Sequence, residues 1–284
     1  MLRSQGHKAG GAVFTSYRVN VALPHLRVGE DCKSELASMA TAPSLTDAQP
    51  NPTAAAKTIC FIDDLETAKT VLQNLQEDNM PLAVDVEGEK LCRNGQICLI
   101  QVCNDLSPVY LFDVCALGRP LFHECGLKRI LEDPTLLKVL FDGRADNDAL
   151  YHQFGVDAKC LYDIQVLFSL KFGKEKHLFL VGLSRCLRQY KGLTPSQQAR
   201  ITRLKEVGTA LHENVGEWGK RPLNALLLEY AANDARHLLG MRSMWGDDVV
   251  NEKVMTITAS RVSKAVHGES TPRGKHMTER DFVL

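Results

Sequence analysis

Two acids two positions apart interrupt an apolar run, Leu82-Ala83-Val84-Asp85-Val86-Glu87-Gly88. On a strand, residues i and i+2 face the same way, so Asp85 and Glu87 would present two carboxylates on one side. Crowding like charges against an apolar surface is costly unless a cation neutralises them. Hard divalent ions such as Mg²⁺ take oxygen ligands, which makes such a pair a metal platform. Taken alone, the pair is equally the exposed end of an ordinary strand. A second acidic group, Asp142, Asp146 and Asp148, lies where Leu137–Phe141 runs into a helix. Three acids compete there for one role, and Asp142 could simply cap the helix while Asp148 could be a solvated surface charge. The third group is Tyr230-Ala231-Ala232-Asn233-Asp234. One helical turn separates Tyr230 from Asp234, so both project from one face, although a surface Tyr–Asp hydrogen bond explains that spacing too. Aspartate is a poor mid-helix residue and needs a reason to be there.

The elements that must position these groups are those of an α/β domain. From Thr58 short apolar runs alternate with amphipathic stretches. A strand at Ile59–Ile62 precedes a helix near Leu65–Leu75, whose Ala68, Val71, Leu72 and Leu75 recur at helical spacing. Three β-type runs follow, Leu82–Glu87, Ile97–Cys103 and Val109–Val114, and Asn94-Gly95 predicts an antiparallel hairpin between the first two. A short helix near Leu127–Leu131, the buried strand Leu137–Phe141, a helix over Arg144–Phe154 closed by Gly155, and a strand at Lys159–Tyr162 come next. Beyond it the chain turns helical, through Val166–Leu170, Leu180–Tyr190, Ser196–Leu211 and a long Leu223–Trp245. Asp163 is placed to cap the helix that follows it.

Composition narrows the function classes. The 284 residues carry 34 Lys+Arg and 34 Asp+Glu, which excludes a uniformly polybasic nucleic-acid binder. With 44% hydrophobic and 24% charged residues the chain is globular rather than fibrous. Nine cysteines without a Cys-x-x-Cys pair suit a reduced intracellular protein, in nucleus or cytoplasm. No apolar run approaches the roughly 20 residues needed to cross a bilayer, so no membrane partner is expected. Residues 1–56 are expected to be a disordered leader; the first 29 contain Arg3, Lys8, Arg18 and Arg27 but no acid, which is also compatible with a mitochondrial presequence. Residues 57–248 form the predicted domain, and 249–284 read as a disordered polar tail.

Taken together, Asp-x-Glu on an early strand, an Asp at a strand-to-helix junction some 60 residues on and Tyr-x-x-x-Asp on a late helix resemble the three motifs of the DEDDy 3′–5′ exonucleases. The chain is similar to the ribonuclease D group and to Werner-type exonuclease domains, especially eukaryotic proteins carrying only such a domain, from about Thr58 to Trp245. Gln-Ile-Cys-Leu-Ile-Gln-Val after the first motif and Leu-Tyr-Asp-Ile-Gln from Leu161 match the same texture. By resemblance the first motif falls on Asp85 and Glu87, the second on Asp146, with Asp142 and Asp148 as fallbacks, and the third on Tyr230 and Asp234. The sister subgroup with a His five residues before the last Asp has no counterpart here, because that position is Glu229.

The resemblance implies a ribonuclease H-like α/β fold, a mixed sheet flanked by helices, and a metal-dependent 3′–5′ exonuclease of RNA or DNA that releases nucleoside 5′-monophosphates. It implies two Mg²⁺ or Mn²⁺ ions about 3.5–4 Å apart. Asp85 would bridge them, Glu87 and Asp234 would complete the water-activating site, Asp146 would support the second ion, and Tyr230 would orient the water. A phenol of ordinary pKa near 10 is a poor free base. For a single-stranded 3′ end the candidate grip is the basic run Lys171, Lys174, Lys176, Arg185, Arg188, Lys191, Arg200, Arg203 and Lys205, interrupted only by the acid Glu175. The alternative for that run is a solvated helical surface. Bacterial ribonuclease D continues into helical nucleic-acid-binding domains, which implies here a protein partner that supplies substrate affinity. The competing class is a catalytically silent exonuclease-fold protein that binds nucleic acid or serves as a scaffold.

Overall fold

The apolar runs pair into one mixed sheet in a computed structural model that describes residues 26–28, 57–173, 179–212, 215–269, 271–272 and 274–283. Its strands are β1 (Leu26–Val28), β2 (Ile59–Ile62), β3 (Leu82–Glu89), β4 (Gln96–Cys103), β5 (Val109–Asp113), β6 (Lys138–Leu140) and β7 (Leu161–Asp163). The order across the sheet is β1-β2-β5-β4-β3-β6-β7. β3 runs antiparallel to β4, and β4 to β5, while every other pairing is parallel. The acid-bearing strand therefore lies inside the sheet: it pairs with β6 at Leu82 and Ala83, and with β4 along Ala83–Glu89, which holds Asp85 and Glu87.

Alternation along β3 sorts its side chains. Leu82, Val84 and Val86 enter a core beneath helices α1 (Leu65–Asp78), α2 (Val114–His123), α3 (Leu127–Glu132) and α4 (Arg144–Phe154). Ala83 enters the opposite core, and Asp85 and Glu87 share its side of the strand. That second layer holds α5 (Ile164–Phe172), α6 (Leu183–Gln189), α7 (Pro195–His212), α8 (Ala225–Arg236), α9 (Leu238–Trp245) and α10 (Asp248–His267). A bulge falls between Glu87 and Gly88, directly after the two acids. A Cβ at Gly88 would stand 2.0 Å from the Gln96 carbonyl oxygen, so only glycine lets the strands approach there.

Several elements depart from the sequence-based expectation. Residues 249–284 are not a disordered tail: α10 is capped by Asp247, which accepts a hydrogen bond from the Val250 amide at 3.0 Å. Val254, Thr258, Arg261, Ala265 and Val266 are buried along one face. The stripe escapes a hydrophobicity count because two of its members are polar, and Arg261 is buried with its guanidinium bonded to Asp163 at 2.7 Å, Asp281 at 2.8 Å and Gln165 at 3.1 Å. Within residues 1–56, Leu26–Val28 is a strand in parallel register with Ile59–Phe61; the rest of that segment lies outside the described residues. The long helix expected over Leu223–Trp245 is two helices meeting at His237. A further helix, α2, starts where a strand was expected to end, with Asp113 capping the Ala116 amide at 3.3 Å. Asp163 caps α5 as expected, accepting from the Gln165 amide at 2.8 Å. No helix among the described residues is long and apolar enough to cross a membrane.

Candidate active site

Helix α8 crosses the face of β3 that carries the acids. One carboxylate oxygen from each of Asp85, Glu87 and Asp234 lies within 4.8 Å of the others. Packing dictates the approach: Leu227, Ala231, Ala232 and Ala235 seat α8 in the core, and the three alanines let it come close. Tyr230, one turn before Asp234, lines the same cleft of about 300 Å³ with Phe141, Leu183, Ser184, Lys205 and Thr209.

Burial and mutual repulsion push the Asp85 carboxyl well above the usual carboxylate range; its charged neighbours are Glu87, Asp146 and Asp234, with Lys205 acting in the opposite sense. Asp146 is raised likewise, by burial first and by Glu87 next. The Tyr230 phenol is pushed upward by burial and by Asp234, Glu87 and Asp85, which keeps it neutral at physiological pH. A donor set of hard oxygens whose charges raise one another's pKa is one that a divalent cation would relieve.

The structure separates the three acids of the second group. Asp142 turns away with a positive φ of 49° and is bonded by Arg144 at 2.6 and 2.9 Å. Asp148 is not a solvated surface charge: it is fully buried, accepting from the Arg93 amide at 2.5 Å and from its Nε at 2.8 Å. Arg93 reaches on to the carbonyls of Ala265 and Gly268, so Asp148 ties the β3–β4 turn to α4 and to the end of α10. Asp146 is the member of the group whose charge acts on Asp85.

The basic run is divided. Lys174 and Lys176 lie outside the described residues. Lys171 pairs with Asp247 at 3.1 Å and Arg200 with Glu229 at 3.0 Å, and the Lys205 ammonium bonds Asp234. These three are committed to carboxylates of the fold. Arg185, Arg188, Lys191 and Arg203 are exposed. Arg188 borders a groove of about 410 Å³ between α6 and α7 that shares Ser184, Lys205 and Thr209 with the acidic cleft. Glu229 is buried and held by Arg200 and Arg236.

Phe141, Ser184 and Thr209 were not singled out from the sequence. Thr209 had a signal, standing four residues after Lys205 on the same helix face; it hydrogen-bonds Tyr230. Gln101 pairs with Asp85 across the β3–β4 ladder, yet its buried amide finds no hydrogen-bond partner among the described residues.

A mixed sheet carrying clustered acids beneath a Tyr/Asp helix defines a ribonuclease H-like exonuclease fold. The chain belongs to the 3′–5′ exonuclease domain family, whose model matches residues 59–244. Among curated relatives it is 35% identical over 207 residues to the mouse (Mus musculus) piRNA biogenesis protein EXD1, covering 68% of this chain and 35% of that protein. It is 29% identical over 141 residues to a 3′–5′ exonuclease of Arabidopsis thaliana, covering 50% and 42%. The chain thus spans about a third of the length of the first of these relatives. Among solved structures, Trypanosoma brucei RNase D in complex with RNA U12 superposes with a TM-score of 0.66 at 27% identity, over 78% of this chain and 76% of that one. The same enzyme with GMP gives a TM-score of 0.65 at 29% identity, over 78% and 68%.

Proposed function

We propose that this chain is a divalent-metal-dependent 3′–5′ exonuclease that shortens single-stranded RNA from its 3′ end and releases nucleoside 5′-monophosphates. The observation that carries this is the convergence of Asp85, Glu87 and Asp234 within 4.8 Å, beside Asp146 and the neutral phenol of Tyr230. RNA is preferred over DNA because a relative of 27% identity is described with RNA and its 29% identical form with GMP, a nucleoside monophosphate.

Asp85, Glu87, Asp146 and Asp234 would hold the Mg²⁺ or Mn²⁺ ions. Bound there, divalent cations would favour attack by water and neutralise charge on the departing 3′ oxygen. Tyr230 stays protonated, so its hydroxyl serves as a hydrogen-bonding group that orients the attacking water rather than as the base. Phe141 and Leu183 supply apolar surface at the cleft against which a terminal base can rest. Of the exposed Arg185, Arg188, Lys191 and Arg203, Arg188 borders the groove that adjoins the cleft and is placed to meet a phosphate, with a grip that would weaken with salt.

A second reading, a nuclease fold that binds nucleic acid without cutting it, is favoured by one observation. Lys205 already places a positive charge on Asp234, so the clustered acids do not by themselves require metal. A role in small-RNA biogenesis, as the relatives' names suggest, suits either reading. The test is incubation of the purified chain with 3′- and 5′-labelled RNA and DNA oligonucleotides in Mg²⁺, Mn²⁺ or EDTA. Stepwise shortening of the 5′-labelled RNA, lost in EDTA and in Asp85→Ala/Glu87→Ala, is expected. No shortening of any substrate, or undiminished activity in the double variant, refutes the enzyme.

A further inference from the structure

We infer that Lys205 is the built-in counter-ion of the acidic cleft, competing with a divalent cation for the same carboxylates, so that helix α7 gates metal loading. The inference rests on the metal-dependent function proposed above. The Lys205 ammonium bonds the carboxylate of Asp234, with the two side chains 11% and 12% exposed. It stands 4.0 Å from the centre of the Tyr230 ring, a cation–π contact. Its charge also opposes the upward shift of Asp85. A carboxylate oxygen can accept from an ammonium or coordinate a metal ion, and a divalent cation beside an ammonium is strongly repelled in a half-buried site.

Lys205 is held in place by its helix. Arg200, five residues earlier on α7, pairs with Glu229, five residues before Asp234 on α8. Between them the helices touch closely: a Cβ at Gly208 would fall 2.1 Å from Tyr230 Cδ2. The displaced side chain has somewhere to go, because Lys205 lies on the wall between the acidic cleft and the α6–α7 groove, which Glu206 and Gln198 also line. Loading of the site would then break the Lys205–Asp234 pair and loosen α7 from α8, leaving the ammonium free to face a phosphate.

The test is calorimetric titration of the full chain with Mn²⁺ alone, in the wild type and in Lys205→Met, Lys205→Arg and Asp85→Asn. Lys205→Met is expected to bind Mn²⁺ roughly tenfold more tightly, within the usual range of coupling between two sites, and Lys205→Arg to stay near wild type. Unchanged or weaker binding in Lys205→Met, with binding lost in Asp85→Asn, overturns the inference alone. Absence of Mn²⁺ binding in every variant overturns both the inference and the metal-dependent function. If Lys205→Met fails to fold, hydrogen exchange on the wild type decides: amides of α7 should exchange faster when Mn²⁺ is added, and unaltered protection overturns the gate.

Discussion

Replacing Asp85 by Asn should make the protein more stable without metal and less stable with it. The side chain keeps its shape but loses a charge that stands beside Glu87 and Asp234, within 4.8 Å at the ligand oxygens, and near Asp146. At an effective dielectric of about 20, one unit charge pair at about 5 Å is worth about 3 kcal/mol. Three repulsive neighbours would give several times that, but Lys205 offsets roughly one of them. Asp85 can also take up a proton, which limits the cost the fold must bear. The expected net gain in EDTA is about 1–3 kcal/mol, and each kcal/mol is worth about 2–4 °C in Tm for a domain of this size. Saturating Mg²⁺ or Mn²⁺ should reverse the order, because a ligand at about 1,000 times its Kd adds about 4.1 kcal/mol to whichever protein binds it. Calorimetric melts of both proteins in EDTA and in metal check this directly. A less stable Asp85→Asn in EDTA, or a wild-type Tm that does not move with metal, would refute the charge balance argued for the cleft.

Asp148 and Asp146 should behave in opposite ways although they are two residues apart. Asp148→Ala strands the Arg93 guanidinium beside α10, and loss of one partner of a buried ion pair costs about 3–5 kcal/mol, so Tm should fall while the folded fraction still cuts. Asp146→Asn should abolish cleavage with Tm unchanged or higher, and chemical denaturation alongside the oligonucleotide assay separates the two. His237 should give the protein an acid-sensitive slope. Burial, and then the charges of Arg236 and Lys57, push its pKa down to about 3, whereas an unfolded histidine titrates near 6.5. The unfolded chain therefore binds the extra proton between these values, so its contribution is complete above about pH 6.5 and falls by about 1.4 kcal/mol per pH unit as pH drops toward 3. Urea titrations across that range should show His237→Gln with a shallower slope than the wild type.

What was legible in the chain was what local chemistry encodes. Asp-x-Glu within a run of Val and Leu could only be one-faced on a strand, and Asn94-Gly95 set the hairpin that became β3 and β4. Gly155 closes α4 with a φ of 69°, a conformation that favours glycine. The parts that escaped depend on distant partners. Arg261 and Thr258 on α10 are buried because Asp163 and Asp281 receive the guanidinium, and the Asp163 amide donates to the Thr258 hydroxyl at 3.2 Å. Asp163 lies outside residues 249–284, 98 positions from Arg261, so that segment alone does not disclose it. Asp148 has the spacing of a surface residue, yet the Arg93 that buries it lies on another element, 55 residues away in sequence. Lys205 belonged to a basic run that suggested substrate binding, and only the approach of α7 to α8 turns it toward an acid.

Clustered carboxylates are usually taken as a sign that metal is needed, since no fold gathers them without compensation. Here the compensation is partly internal, and that alters what their presence implies. An ammonium on Asp234 lets the cleft persist without ions, as a silent binding protein needs, and a metal-loaded nuclease would have to displace it. The distinction lies with the charges Lys205 does not reach. Asp146 acts electrostatically on Asp85 and is raised by burial first and then by Glu87, Asp142 and Asp163, with no ion pair of its own found among the described residues. A scaffold would gain from losing that carboxylate, because an asparagine there removes repulsion and keeps the size of the side chain. Burial and like-charged neighbours hold Asp85 and Asp146 above the usual carboxylate range, and a divalent cation is the partner that would stabilise the four acids in their charged form.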